Sequence, residues 1–270
     1  MQRFIWFSCA TGTICVGIQI FGLAPIYSLL VVACYLVVIS IGVCNLRSNI
    51  FITCQPRHRF PGKIVLTIDD GPDIRFTTSL LQLLRKYNLP ATFFLIGQEA
   101  EKYPGLVQAI AAGSHTIGAH GYSHAPWSNF YLSSHWDEEF SKTETILGPY
   151  LQRKWFRPPF ALVSPHLAQV VQQRQYTVIA FHLRALDFGN RRVHNLAGRL
   201  SGKLAQGGVV MIHGALPAEI SDAQREAILH ELERFFQEIA CSGCEVLTLE
   251  NYLKLDEKGR KPCRSSGKLL

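Results

Sequence analysis

Charged residues are missing from the beginning of this chain. Between Phe4 and Cys44 the 270-residue sequence has no Asp, Glu, Lys or Arg, and almost every residue is apolar. A soluble domain needs a polar surface, so the lack of charged residues excludes a soluble domain in this segment. Pro25 divides the run into two segments of about 19 residues, each long enough as a helix to cross a hydrocarbon core of about 30 Å. The sequence predicts a transmembrane helical hairpin over residues 1–45, and a cleaved signal peptide followed by one span is the alternative.

The rest of the chain lacks an excess of either charge. The net charge of +7 comes from four Lys and Arg residues before position 61 and from six of them, against two acids, from Lys254 onward. Residues 61–253 carry 17 basic and 18 acidic residues, which argues against a nucleic-acid partner. The basic residues beside the apolar run predict contact with membrane lipid. By the positive-inside rule they favour a cytoplasmic domain in an inner or plasma membrane, although large domains can be exported regardless.

A second pair of closely spaced cysteines is also absent. Four of the eight cysteines lie in the apolar run, and Cys241 and Cys244 form a lone C-x-x-C. A structural zinc site needs four ligands, so this pair by itself does not predict one. The redox state and role of the pair, and the redox compartment of the protein, stay open.

Strand-like and helix-like segments alternate after a connector at residues 46–61. Seven strand and helix pairings, from "KIVLTI" at residue 63 to "EVLTL" at residue 245, follow one another over residues 62–253. Such alternation is typical of parallel strands joined by right-handed crossovers. We therefore expect an α/β fold, a distorted (β/α)7 barrel, followed by a basic, mobile tail at residues 254–270.

Polar residues close the predicted strands. In parallel β/α folds the carboxyl ends of the strands form one rim, where active sites lie. The residues at or just after these ends are Asp69, Asp70, His120, Arg157, Asp187 and His213. The sequence therefore predicts one site built from all of them.

The strongest metal signal is "HGYSH", which contains His120 and His124. Two imidazoles four residues apart can share one cation, and one rim aspartate would complete a catalytic ligand set with open positions. The other member of the Asp69 and Asp70 pair would then be free to act as a base. The alternatives are that the histidines are structural and that the aspartates cap the next helix.

Five short motifs together resemble the NodB-homology polysaccharide deacetylases, also called carbohydrate esterase family four. They are "TIDDGPD", "HGYSH", "FRPPF", "LDF" and "VVMIHG", in the order and approximate spacing of that family. The resemblance covers roughly residues 62–253. It implies that Asp69 is the general base, oriented by Arg157, and that Asp70, His120 and His124 bind a divalent metal, usually zinc, sometimes cobalt or another cation.

The same resemblance implies the remaining roles. Phe160 replaces a tyrosine whose backbone N–H binds the oxyanion, and Asp187 tunes His213, the general acid. Asp73 either binds substrate hydroxyls or caps the following helix. The chain departs from the family pattern at Arg184, Phe188 and Gly214, in place of Asp, Trp and Asp, which leaves the substrate open.

The expected activity is metal-assisted removal of N-acetyl groups by a membrane-anchored enzyme. Its partner would be an N-acetylated glycan such as peptidoglycan, a chitin-like oligosaccharide or a lipid-linked sugar. A formyl group or an O-acetyl ester is an alternative target. A non-catalytic glycan-binding domain is another alternative, against which the complete set of motif residues argues.

Overall fold

The most buried strands of the structure come from continuous apolar runs. β2 (Lys63–Asp69), β3 (Ala91–Leu95) and β8 (Gly208–His213) are buried along almost their whole length. Strands that are covered on both faces show such runs instead of an alternating pattern. The computed structural model describes residues 2–22, 24–187, 189–191 and 194–260.

The remaining elements alternate between helix and strand in most of the chain. The other strands are β1 (Cys54–Gln55), β4 (Thr116–Ala119), β5 (Trp155–Phe156), β6 (Thr177–Ile179), β7 (Leu183–Arg184) and β9 (Glu245–Val246). The helices are α1 (Gln2–Ile20), α2 (Pro25–Cys44), α3 (Thr77–Lys86), α4 (Gly97–Lys102), α5 (Pro104–Ala112), α6 (Ser133–Leu147), α7 (Pro165–Gln173), α8 (Leu196–Leu204), α9 (Asp222–Cys241) and α10 (Leu249–Arg260).

All strand pairs of the sheet are parallel, which confirms the predicted α/β class. The order is β1-β6-β5-β4-β3-β2-β8-β7, and β9 pairs with the start of β2. The predicted barrel does not close: β1 and β7 lie at opposite ends of the order and do not pair within the described residues. Each of these edge strands has only two residues, and each pairs with its single neighbour, β6 or β8. The sheet is therefore a curled, open half-barrel.

Two apolar helices precede the sheet. α2 is the one described helix that is long and apolar enough to cross a membrane, and the apolar part of α1, Trp6–Ile20, is shorter. The helices contact each other where the rings of Phe7 and Tyr35 stack at 5.7 Å and the Ser8 and Tyr35 hydroxyls lie 3.0 Å apart. The transmembrane hairpin itself stays a prediction.

Both segments that flank the predicted domain pack against it. In the connector, Phe51 and Cys54 are buried, and β1 pairs with β6. At the other end, α10 runs through Lys254, where we expected a mobile tail to begin. The reason is Asp256, which is fully buried and accepts hydrogen bonds from the backbone N–H groups of residues 57 and 58 at 3.1 and 3.0 Å. The last part of the expected tail, residues 261–270, lies outside the described residues.

Candidate active site

The carboxyl ends of the strands surround a cavity of about 420 Å³. Parallel register places Asp69 of β2 opposite His213 of β8, so the two strand ends meet at the same level. The predicted site residues that line the cavity are Asp69, Asp70, His120, His124, Phe160 and His213. Arg157 and Asp187 are buried and contact two of these side chains from behind.

The two adjacent aspartates have different partners. Asp69 ends β2 and is 4% exposed, and its Oδ1 accepts a hydrogen bond from Arg157 Nη1 at 2.5 Å. Asp70 leaves the strand with φ +67°, a left-handed conformation that is uncommon for residues other than glycine. This turn directs the Asp70 carboxylate to the histidines, while Asp69 stays with the arginine.

Asp70, His120 and His124 form a cluster that fits a divalent cation. The Nε2 atoms of both histidines lie 3.4 Å from Asp70 Oδ1, which is buried and has no hydrogen-bond partner among the described residues. His120 Nδ1 lies 2.7 Å from the carbonyl oxygen of Arg157 and must donate its proton to that acceptor. Nε2 is therefore the His120 nitrogen that faces the carboxylate and would bind a shared cation.

The protonation states of the cluster also suit a metal. Burial alone would raise the pKa of Asp70, but the neighbouring imidazoles of His120 and His124 lower it. Burial, together with His120, lowers the pKa of His124 to about 4. At neutral pH the cluster thus presents a carboxylate and an unprotonated imidazole, the forms that bind metal ions.

Arg157 is held rigidly beneath the cavity. Its guanidinium is fully buried and donates from Nε to the carbonyl oxygen of Ile179 at 3.1 Å and from Nη1 to Thr67 Oγ1 at 2.7 Å. Its Cζ lies 4.2 Å from the centre of the Phe94 ring. Since Nη1 also bonds Asp69, the arginine fixes the position of that carboxylate and keeps its charge compensated.

His213 is held by Asp187 on the opposite wall. The imidazole Nδ1 lies 2.5 Å from Asp187 Oδ1, and the backbone N–H of His213 donates to Oδ2 at 3.0 Å. Burial alone would lower the pKa of His213, but the hydrogen bond and the charge of Asp187 raise it to about 9. His213 is therefore a protonated imidazolium at neutral pH and presents its other nitrogen to the cavity.

Phe160 lies in a short 3₁₀ turn, Pro159–Ala161, with φ +56°. Ala161 is also left-handed, at φ +57°. The Phe160 ring is 46% exposed and packs against His124, with 4.5 Å between ring centres. Non-glycine residues in this conformation are strained, and such strain concentrates at functional sites.

Asp73 does not line the cavity. Its Oδ1 accepts a hydrogen bond from the backbone N–H of Arg75 at 2.8 Å, and its Oδ2 accepts one from Leu216 N–H at 2.9 Å. The Arg75 side chain also pairs with it at 3.1 Å. These contacts tie the loop after β2 to the loop after β8. The N-cap of α3 is Phe76 and has no side-chain cap bond, so Asp73 does not cap that helix as one of the two alternatives predicted. Its contact with substrate stays a prediction.

Sequence reasoning missed several residues of the site. Phe181, Arg184 and Arg191 line the cavity. The sequence had marked only Arg184, and only as a departure from the family pattern. Asn190 holds the loop after β8 by donating to the carbonyl oxygens of His213 and Ala215 at 2.9 and 2.8 Å. Phe181 closes the apolar run "YTVIAF" but is itself apolar, and the other three residues lie beyond the end of that run, so no polar strand-end signal marked any of them. Phe188 lies outside the described residues.

Comparison with known proteins finds similarity to polysaccharide deacetylases. The family model for polysaccharide deacetylase matches residues 58–179, which include the first three motifs. A peptidoglycan-N-acetylglucosamine deacetylase of Bacillus cereus is 25% identical over 198 residues, 73% of this chain and 70% of that protein. A chitooligosaccharide deacetylase of Azorhizobium caulinodans is 25% identical over 159 residues, 58% of this chain and 75% of its relative.

The fold is also that of a solved structure. The crystal structure of the Bc1960 peptidoglycan N-acetylglucosamine deacetylase superimposes with a TM-score of 0.63 and 25% sequence identity. The match covers 73% of this chain and 90% of that structure. The uncovered part of this chain is large enough to include the N-terminal helices.

Proposed function

We propose that this chain, which is similar to the polysaccharide deacetylases over most of its length, is a member of that family and hydrolyses the N-acetyl groups of an amino-sugar glycan. One observation carries the proposal: a cavity in which an Arg157-bound Asp69 and an Asp187-bound His213 flank the cluster of Asp70, His120 and His124. A free base, a protonated acid and a cation cluster around one cavity are the parts that amide hydrolysis needs.

Asp70, His120 and His124 would hold the divalent cation. The ligand atoms of these three side chains lie within 4.8 Å of one another. A bound zinc or similar ion would polarise the amide carbonyl and acidify water at its open positions. The identity of the ion stays open, because zinc and cobalt both accept imidazole and carboxylate ligands.

Asp69 is proposed as the general base. Arg157 engages its Oδ1 through a buried hydrogen bond, so the carboxylate, which is 4% exposed, is held in a fixed position beside the cavity. Oδ2 is then the atom that accepts a proton from the attacking water. Because Asp70 belongs to the cation cluster, Asp69 is the carboxylate of the pair that is free for this task.

His213 is proposed as the general acid, and Phe160 as an oxyanion donor. Attack of water on the carbonyl carbon forms a tetrahedral oxyanion, toward which the backbone N–H of Phe160 would donate. His213 Nε2 then delivers its proton to the nitrogen as the carbon–nitrogen bond breaks, which releases acetate and a free amine. Asp187 holds the Nδ1 proton, so Nε2 is the nitrogen that transfers.

The membrane part of the proposal rests on α2. An 18-residue stretch of this helix has a mean hydropathy of 2.5, and only 6% of that stretch is buried, as a lipid-facing helix requires. We infer an anchor here, with α1 packed beside it. The positive-inside rule favours a cytoplasmic domain, and a reporter fused to the C-terminus would test this: an exported reporter would contradict it.

Acetate release tests the activity. The purified full-length protein should release acetate from N-acetylated chito-oligosaccharides or peptidoglycan fragments, and Asp69→Asn should not. The conservative variant keeps the size of the side chain and removes its basicity. Equal release by both proteins would contradict the enzymatic proposal, and a panel of formylated and O-acetylated sugars would distinguish the alternative acyl groups.

A further inference from the structure

Three large apolar side chains point into solvent just after the metal-binding motif. Trp127 is 71% exposed, Phe130 is 80% exposed and Leu132 is 63% exposed. Between them, Ser128 is buried and Tyr131 packs inward. The segment thus has a fixed conformation with an apolar outer side, which we call the apolar loop (residues 127–132). Contiguous exposed apolar surface of this kind marks an interaction site.

The end of α2 docks onto the same part of the domain. The backbone N–H of Val163 donates to the carbonyl oxygen of Val43 at 3.1 Å. Gly42 lies so close to the Phe51 ring that a Cβ atom there would come within 2.6 Å of it. Ile39 and Val43 pack against the same hydrophobic cluster as Tyr131 of the apolar loop. The last turns of α2 are therefore attached to the domain.

The active site lies between these two features. The His124 ring, three residues before Trp127, packs against the Phe160 ring. Three residues after Phe160, the backbone of Val163 forms its hydrogen bond with α2. Phe160 itself is 46% exposed and lines the cavity. The apolar loop and the end of α2 therefore pack on the same hydrophobic cluster, and Phe160 at the cavity lies only three residues before the α2 contact at Val163.

Helix length places the end of α2 at the bilayer. The residues of α2 before the docked turns, Pro25 to Val38, span only about 21 Å at roughly 1.5 Å per residue. A hydrocarbon core is about 30 Å thick, which requires the whole helix to Cys44. Lipid must then reach the level of residues 39–43, where the domain is attached.

We propose that Trp127, Phe130 and Leu132 insert into the lipid interface and dock the domain onto the membrane beside α2. Aromatic and aliphatic side chains at this depth are typical of membrane–water interfaces. The next basic residues along the chain, Arg47, Arg57 and Arg59, are all exposed. The inference rests on the proposed span of α2. It deepens the proposed function, because a domain docked in this way holds its cavity beside glycans that are attached to the membrane.

Lipid photo-crosslinking of the full chain in nanodiscs tests the contact. The photoreactive residue p-benzoylphenylalanine would be introduced as Phe130→p-benzoylphenylalanine, and separately at Leu30 in the middle of α2 and at Ala227 on α9. Leu30 and Ala227 are both exposed, and α9 packs against α8 and α3 at the far end of the sheet. We expect lipid adducts at positions 130 and 30 and none at 227.

The three positions separate the possible failures. An adduct at 30 without one at 130 would overturn the docking of the apolar loop and leave the span intact. No adduct at 30 would overturn the span and, with it, the docking. An adduct at 227 as strong as that at 130 would show lipid contact without specificity and would also contradict the proposal. Acetate release from soluble oligosaccharide, measured on the same preparations, reports on the proposed function independently.

Activity on two forms of the substrate gives a second readout. The variant Trp127→Ser with Phe130→Ser removes apolar surface that nothing in the described structure covers, so the fold should be retained. Its rate on a soluble chito-oligosaccharide should match that of the wild type, and its rate on the same glycan attached to vesicle lipid should fall several-fold. Equal rates of variant and wild type on the lipid-attached glycan would contradict the inference.

Discussion

Asp187 binds His213 through two hydrogen bonds at once. One carboxylate oxygen lies 2.5 Å from the imidazole Nδ1, and the other accepts the backbone N–H of the same residue at 3.0 Å. The side chain therefore cannot rotate without losing a bond to the carboxylate. This double contact sets both the orientation and the charge of the proposed general acid.

The pH dependence of activity should follow this pair. The pKa of His213 is raised to about 9, above its ordinary value of 6.5, so the protonated acid persists at neutral pH and is lost as the pH rises through about 9. In Asp187→Asn the cause of the shift is removed, and the alkaline limb of kcat/KM should move toward lower pH. The pH profiles of the two proteins measure this, and coincident alkaline limbs would contradict the role of Asp187.

The Asp187 and His213 pair should also make the stability of the fold fall as the pH rises. A raised pKa in the folded state stabilises the fold below pH 6.5, and this contribution disappears as the pH rises through about 9. The melting temperature of wild type should therefore exceed that of Asp187→Asn most at low pH, and the difference should narrow above pH 9. A difference that is independent of pH would point to lost packing instead.

Removal of Arg157 should destabilise the protein as well as inactivate it. Arg157→Met leaves the buried Asp69 charge without a partner, and breaking such a pair costs about 3–5 kcal/mol of unfolding free energy. The double variant Arg157→Met with Asp69→Asn removes both charges and should regain part of that stability without regaining activity. Denaturant unfolding in detergent measures both, and equal stability of the single and double variants would be inconsistent with a buried ion pair.

Metal content should depend on the cluster of Asp70, His120 and His124. Elemental analysis should find about one divalent ion per chain in wild type, and a chelator should remove it together with the activity. His120→Gln should lose the ion, whereas His230→Gln, the same change at an exposed position on α9, should keep it. Retention of metal by the His120 variant would show that the cluster is not the binding site.

The cavity arginines should favour anionic glycans. Arg184 and Arg191 are exposed at the cavity, and neither forms an ion pair in the described part of the chain. Arg184→Gln and Arg191→Gln should each raise KM for a glycan that carries a carboxylate or phosphate by about tenfold, the effect of one charge-assisted hydrogen bond. KM for a neutral chito-oligosaccharide should be unchanged, and parallel increases for both substrates would argue against charge recognition.

Residues close together in sequence were the most predictable part of this molecule. The buried strand β2 shows in "KIVLTID" because a strand covered on both faces needs an unbroken apolar run. The polar residues after such runs, His120 and His213 among them, could be assigned to one rim because parallel strands share one carboxyl edge. The apolar run before Cys44 was equally clear from composition.

Contacts between distant residues could not be read in this way. Whether the sheet closes depends on the length and pairing of its edge strands, and β1 and β7 are too short to give a periodic signal. Asp256 sits in a basic segment that looked mobile, and only its burial against residues 57 and 58 shows that α10 belongs to the domain.

By itself, then, the amino-acid order determined the parallel α/β class, the apolar character of the first helices and the identity of the motif side chains. The tertiary structure alone decided that Arg157 reaches Asp69 across 88 positions, that Asp73 bonds to the loop after β8, and that Tyr131 of the apolar loop packs on the same cluster as the end of α2. The physical reason is that periodicity reflects burial within one element, whereas these relationships depend on how separate elements pack.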